Sequence, residues 1–282
     1  MAPEARGAEG MRASYGRLLA ILSARAGDIL AAEDALGDAF AKALIHWPKD
    51  MPQNPEAWLL TVARNRLTDL HRKDARLEFR AALPEAEELG DPLPDPPDER
   101  LKLMFVCAHP AIDARIHTPL MLQTVLGLEA EIIARAFLLP KSTMAKRLVR
   151  AKQKIRDAGV AFQIPEEDKR PARLSAVLEA IYGAFSRDWL GADALSEEAF
   201  FLATLLADLQ PENAEVLGLA ALIAYTLSRE AARVQDGVFV ELEDQDTALW
   251  DTRLIGCAGD YLRRAESLGA FGRFQLEAAI QA

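Results

Sequence analysis

An all-α fold follows from three observations on this sequence of 282 residues. Half of the residues are hydrophobic, ample for real cores. Ala and Leu, which favour helices, are abundant. The period-two alternation of half-buried strands is almost absent, while apolar residues recur three and four positions apart in one segment after another. The length suits two or three small domains.

Taken in order, Ser14 to Leu22 and Ala31 to Ile45 read as the first helices. The second opens near Glu33 and Asp34, and acidic residues in a first turn suit the positive end of the helix dipole. Asp38 follows Asp34 by four residues, so the two make an acidic spot on one face. Trp47-Pro48, Pro52 and Pro55 mark a loop. A helix from Glu56 then carries Trp58, Leu59, Val62, Leu67 and Leu70 as an apolar face. It also holds Arg64, Asn65, Arg66, His71, Arg72, Lys73 and Arg76. Cations, an amide and an aromatic ring interleaved on one helix suit contact with phosphates and unstacked bases. Trp58 by itself also reads as a core residue.

Leu83 to Asp98 carries Pro84, Pro92, Pro94, Pro96 and Pro97 among six acidic residues. Proline removes helix donors and like charges repel, so an extended, mobile linker is expected. Its sixteen residues reach about 50 Å at roughly 3.1 Å each. Beyond it, Cys107-Ala108-His109 has two metal-ligand types but no companion pair at a useful spacing, so it reads as core.

Leu128 to Phe137 is a short amphipathic helix with Leu128, Ile132 or Ile133, Ala136 and Phe137 buried. Leu138-Leu139-Pro140-Lys141 breaks the pattern. Pro140 suits the start of a new helix, and Ser142 or Thr143 can cap it with a side-chain oxygen. Lys141 to Arg156 then has seven basic residues and no acidic one, in a chain with 33 Lys and Arg against 43 Asp and Glu and a formal charge of −10. At 100° per residue, Met144, Leu148, Ala151 and Ile155 form one stripe. Ser142, Thr143, Lys146, Arg147, Arg150, Gln153 and Lys154 lie opposite. Helix, tight turn and basic helix is the layout of a helix-turn-helix whose second helix reads DNA. A solvated cationic face is the plain alternative.

Arg173 to Trp189, Ser196 to Leu209, Ala214 to Ala231 and Asp251 to Leu268 read as further helices. Acidic residues outnumber basic ones from Asp157 to Asp251, which argues against DNA binding there. Asp244-Gln245-Asp246 lacks the glycine and distal glutamate of a calcium loop, so its side chains are expected to cap the helix around Trp250. Cys107 and Cys257 make no disulfide framework, which points to a reducing cytoplasm. Met1 to Gly10 does not read as a signal peptide, and the longest apolar stretch, Val216 to Leu227, is too short for a bilayer. The sequence holds no Gly-rich phosphate loop, His-Glu-x-x-His or nucleophile elbow, and His46, His71, His109 and His117 are scattered. No enzyme activity, cofactor or metal is expected.

Three segments together resemble an extracytoplasmic-function (ECF) sigma factor of bacterial RNA polymerase. Ala32-Glu33-Asp34-Ala35-Leu36-Gly37-Asp38-Ala39-Phe40 resembles the family's region 2.2. Asn54-Pro55-Glu56-Ala57-Trp58-Leu59-Leu60-Thr61-Val62-Ala63-Arg64-Asn65-Arg66 resembles regions 2.3 and 2.4. Leu139 to Lys152 resembles the region 4.2 reader. Asp98 to Pro110 and Glu243 to Asp251 are similar to a subgroup whose helical C-terminal extension runs on into tetratricopeptide-like helices, and Phe274 to Ile280 is mid-pattern for such a helix.

The resemblance implies a region 2 domain over 10–82, the acidic Pro-rich linker over 83–98, a region 4 helix-turn-helix domain over 99–162 and a helical extension over 172–282. It implies that Asp34 and Asp38 dock on the β′ clamp helices of core polymerase, with the β flap as a second contact. Trp58, Arg64, Asn65, Arg66, Arg72 and Lys73 would hold the −10 promoter element. Ser142, Thr143, Lys146, Arg147, Arg150 and Lys154 would hold the −35 element or its phosphates. The linker would thread the RNA path, and the extension would serve a regulatory partner or ligand. A helix-turn-helix regulator acting without polymerase and a protein-interaction module are the other readings. Departures from the family pattern are Gly37 for glutamine, Ile132 for glutamate, Glu129 and Ala130 for capping hydroxyls, Ala145 for a base-contacting arginine, and Pro119, which interrupts a helix that Thr118 can restart.

Overall fold

The computed structural model describes residues 3–48, 50–78, 98–187, 195–235 and 238–282; the side chains of 3–13, 70–78, 187 and 195 lie outside this description. The described residues are almost entirely helical, as the composition requires. They form two compact units, one of 1–130 with 142–170 and the other of 131–141 with 171–282. Of the expected linker, only Asp98 falls among them.

In the first unit, α1 (Pro3–Ala26) packs on α2 (Ile29–His46), α3 (Pro55–Glu78), α4 (Arg100–Cys107) and α5 (Ala114–Thr124). Leu18, Leu19 and Leu22 are fully buried on it. The approach of α1 to the end of α5 depends on Gly16, where a Cβ would lie 1.8 Å from the Val125 carbonyl oxygen. Glu56 ties α3 to α1 by accepting from Arg17 at 2.9 Å and from the Ser14 hydroxyl. α4 is buried nearly all round, with Leu103, Met104, Phe105 and Cys107 inside.

Two expectations are corrected here. α2 starts at Ile29, capped by Asp28, whose Oδ1 accepts from Leu30 N at 2.9 Å. Glu33 and Asp34 therefore sit in its second turn, past the first turn in which the helix dipole was expected to favour them. Pro119 does not break its helix: α5 is capped by Asp113 and runs through Pro119 without a restart at Thr118. An interior proline costs about 3 kcal/mol. Full burial of Leu120, Met121 and Leu122, at about 1.5–3 kcal/mol each, outweighs it.

The last helix of this unit is α7 (Lys141–Asp157), which follows α6 (Ala130–Ala136) and a turn. Ile133, not Ile132, is the buried member of the alternative pair on α6. The turn is a Schellman closure: Leu139 N bonds Ala134 O at 2.9 Å and Leu138 N bonds Arg135 O at 3.0 Å. Leu138 is left-handed, φ 51°, in a position that usually takes glycine. Because α7 begins at Lys141, Ser142 and Thr143 lie inside its first turn and not at the cap.

The second unit is built around α10 (Ala214–Leu227), which is apolar on every side and buried accordingly. Around it stand α9 (Leu195–Leu209), α12 (Thr252–Ser267) and α13 (Arg273–Gln281); α8 (Arg170–Arg187) belongs to the same unit, and Trp189 falls outside the described residues. Gly218 lets α13 approach, since a Cβ there would stand 2.5 Å from Gln275 N. The Glu215 carboxylate accepts from Phe274 N and Gln275 N, both at 3.3 Å, and so caps a helix whose own preceding residue is Gly272.

The helix expected over Ala214 to Ala231 stops at Leu227 and resumes as α11 (Glu230–Arg233). At this break the buried Arg233 guanidinium donates to the Thr226 carbonyl at 2.8 Å. A small antiparallel pair, β1 (Val234–Gln235) and β2 (Val238–Phe239), follows. Trp250 is not in a helix. It lies between a 3-10 turn at Thr247–Leu249, capped by Asp246, and α12, capped by Asp251, with the Arg229 guanidinium 4.8 Å above its ring. The capping chemistry was legible; Asp244 takes no part in it.

Candidate nucleic-acid interface

The apolar stripe of α7 is seated as the periodicity requires: Met144, Leu148, Ala151 and Ile155 are all buried. The opposite face is free, with Ser142, Lys146, Arg147, Arg150 and Lys154 exposed and Thr143 half-buried. Arg147, Arg150 and Lys154 line a cleft of about 300 Å³ against the start of α5, joined there by Arg115 and opposed by Asp113. Arg115 is a fourth cation that sequence reasoning missed. It stands more than thirty residues upstream of Arg147, and no periodicity within one helix could have joined them. Four cations around one concavity suit an anionic oxygen cluster such as a phosphate.

The basic helix has a second, inward-facing contact. Lys152 is 3 % exposed, and its Nζ donates to both oxygens of Glu33 on α2, at 2.5 and 2.6 Å. One turn on, Arg156 donates to Asp28 Oδ2 at 3.1 Å. Lys152 sits 40° from Leu148 around the helix, so its place beside the buried stripe was readable; its partner, 119 residues away, was not. Burial pushes the Glu33 carboxyl above its ordinary range, with Lys152 pulling the other way. The Cys107 thiol, close enough to feel both charges, is pushed up to about 12 by burial and hydrogen-bonds Thr124 at 3.2 Å.

The residues expected to hold melted DNA lie on α3 in mixed settings. Trp58 is half-buried, edge-on to Trp47 with ring centres 5.8 Å apart, and near His46. Arg64 is half-buried, its guanidinium held below its ordinary pKa by burial and by Arg25; its Nε has no hydrogen-bond partner among the described residues. Asn65 is exposed. Arg66 donates to Asp38 Oδ2 at 2.7 Å, so it joins a residue expected to hold DNA to one expected to dock on polymerase. Arg72 and Lys73 are on the α3 backbone, with side chains outside the described residues. Asp34, Gly37 and Asp38 share the exposed face of α2, and a Cβ at Gly37 would meet only open space. Leu44 and Ile45 extend this face, 72 % and 66 % exposed.

Cys107 is core as expected, and His109 Nδ1 is occupied by Ala111 N at 3.1 Å. Among the described residues, no cluster of three or more His, Cys, Asp or Glu could hold a metal ion, and no helix is long and apolar enough to cross a membrane.

Against known proteins, residues 11–77 match sigma-70 region 2, the stretch that contains most of α1 and all of α2 and almost all of α3. Residues 173–266 match a family of unknown function, DUF6596. The chain is 37 % identical over 273 residues to the uncharacterized protein R00370 of Rhizobium meliloti (strain 1021), covering 89 % of this chain and 64 % of that relative. No solved structure matches.

Proposed function

We propose that this protein is a sigma factor of the ECF subfamily, which directs core RNA polymerase to promoters and assists their opening. The observation that carries the reading is the coincidence of two features. The region 2 match falls on the helices that present Asp34, Asp38, Asn65 and Arg66. A separate helix of the same chain exposes Lys146, Arg147, Arg150 and Lys154 on one face. Asp34 and Asp38 dock on the β′ clamp helices. Trp58, Arg64, Asn65, Arg66, Arg72 and Lys73 hold the −10 element. Ser142, Thr143, Lys146, Arg147, Arg150 and Lys154 hold the −35 element, with Arg115 added to the phosphate contacts. With Ala145 at a position for base contact, this helix holds backbone more than it reads bases.

The division into region 2, linker, region 4 and extension, the tetratricopeptide-like character of that extension, its regulatory role in cis, the β flap contact and a cytoplasmic site of action all belong to this reading. In vitro transcription from genomic fragments, using core polymerase with and without the chain, tests it. Discrete start sites that need the chain are expected. Transcripts that are the same without it, together with no co-elution with core polymerase, would remove the sigma-factor reading. DNA binding by the chain without any affinity for polymerase would instead favour a plain helix-turn-helix regulator.

A further inference from the structure

We propose that the cleft between the start of α5 and the exposed face of α7 is a binding site for a nucleoside polyphosphate, and that its occupation competes with duplex DNA for the same cations. The site stands without the sigma-factor reading; the competition rests on the DNA assignment of α7 in that reading.

Three features carry it. The first is convergence of charge. Arg147, Arg150 and Lys154 follow one another at three and four residues, so they line one side of α7. Arg115 joins them from α5. All four are exposed, and among the described residues none of their side chains is held in an ion pair or hydrogen bond. Cations gathered around a hollow repel one another, and a ligand with several anionic oxygens relieves that repulsion. The second feature is the floor. Ile112, Ile116 and Ala151 are 5 %, 8 % and 6 % exposed and give the hollow an apolar base. At about 300 Å³ the cleft lies at the small end of the roughly 300–1,000 Å³ that small-molecule sites occupy. A DNA strand offers its phosphates on a convex ridge, so it touches the rim and leaves the floor bare. A nucleotide uses both, with phosphates on the cations and sugar or base on the isoleucines. The third feature is Asp113. Its Oδ1 caps α5 by accepting from Arg115 N at 3.0 Å, which leaves Oδ2 to accept from a ribose hydroxyl or a base amino group. A carboxylate among phosphate-binding cations hinders a bare polyanion; it serves a ligand that also donates hydrogen bonds.

Isothermal titration of the full chain with ATP, GTP, inorganic triphosphate and adenosine tests the site. Salt at about 0.15 M, without divalent cations, damps the attraction of exposed charges. ATP and GTP should bind one-to-one and more tightly than triphosphate, with adenosine alone too weak to measure. Arg115→Ala should weaken ATP about tenfold or more, the loss expected when one charge-assisted hydrogen bond goes. Lys154→Ala should show the same loss, and a thermal melt matching the native chain separates lost binding from lost fold. Lys42→Ala, at an exposed cation outside the cleft, should bind ATP as the native chain does. ATP should also displace a labelled DNA duplex from the native chain. No ATP binding, triphosphate as tight as ATP, or equal losses in Lys42→Ala and Arg115→Ala would overturn the site. Duplex binding that Arg115→Ala weakens, with no ATP binding, would make the cleft a seat for DNA backbone and overturn it too. ATP bound without displacing the duplex would overturn the competition. If ATP binds and no duplex does, the DNA assignment of α7 fails and the nucleotide site stands.

Discussion

Two glutamates seat two helices in this protein by different means. Glu33 on α2 receives the ammonium of Lys152 from α7. Glu215 on α10 receives the first backbone N–H groups of α13. The first contact joins two full charges, each of which water can reclaim. The second completes the hydrogen bonding of a helix end next to Gly218, where the chains touch backbone to backbone. A contact between paired charges can exchange one partner for solvent, whereas a carboxylate that caps backbone N–H groups completes the hydrogen bonding of the helix end itself. The difference teaches that similar acidic residues can join two packed helices through a charge pair in one place and through a helix cap in another.

Removing one side of the charged contact should produce the largest effect. Lys152→Met leaves Glu33 buried without its cation, and a loss of about 3–5 kcal/mol is expected. Pairing it with Glu33→Leu should bring stability back to the native level or above it. Urea denaturation of the three proteins measures this, and a double variant as weak as the single one would mean that the charge is not what matters. On the other side, Gly218→Ala forces a Cβ into the α13 backbone. Overpacking of this kind costs about 1–3 kcal/mol, read as a lower midpoint for the second unit by limited proteolysis in urea. A neutral result would break the contrast. Glu215→Gln keeps the shape but loses the charge at the helix end, and about 1 kcal/mol should go with it.

The smallest effect is a pH slope. The folded Glu33 carboxyl binds its proton more tightly than in the unfolded chain. Its contribution to stability is therefore fully present below the ordinary carboxylate pKa and declines as pH rises through the raised folded value. Glu33→Gln should remove this decline from the acid limb of a stability–pH profile. A profile identical to that of the native chain would mean that Glu33 titrates as an ordinary exposed carboxylate.

Much of this contrast was beyond reach of the sequence, for physical reasons. Periodicity determines which face of a helix turns inward, and so Met144, Leu148, Ala151, Ile155 and the all-apolar α10 were legible. It carries no information about which distant residue meets that face. Lys152 could be placed at the edge of the buried stripe, but Glu33 could not be chosen as its partner over other acids. Arg115 escaped for the same reason. Local rules misled where packing outweighed them, as at Pro119, and where the helix began upstream of its acidic residues, as α2 does after Asp28. The expected −10 surface was legible as a composition of residue types. The pairing of Arg66 with Asp38 and of Trp58 with Trp47 needed the folded chain.

Asp28 divides its two oxygens between tasks, Oδ1 on the Leu30 amide and Oδ2 on Arg156. Loss of Arg156 from one oxygen changes the electron density available to the other. The chemical shift of the Leu30 amide proton is thus an unlabelled reporter of that contact, present in the native chain. In a ¹⁵N spectrum that one peak would report whether Arg156 rests on Asp28, with no fluorophore, spin label or added cysteine to disturb it.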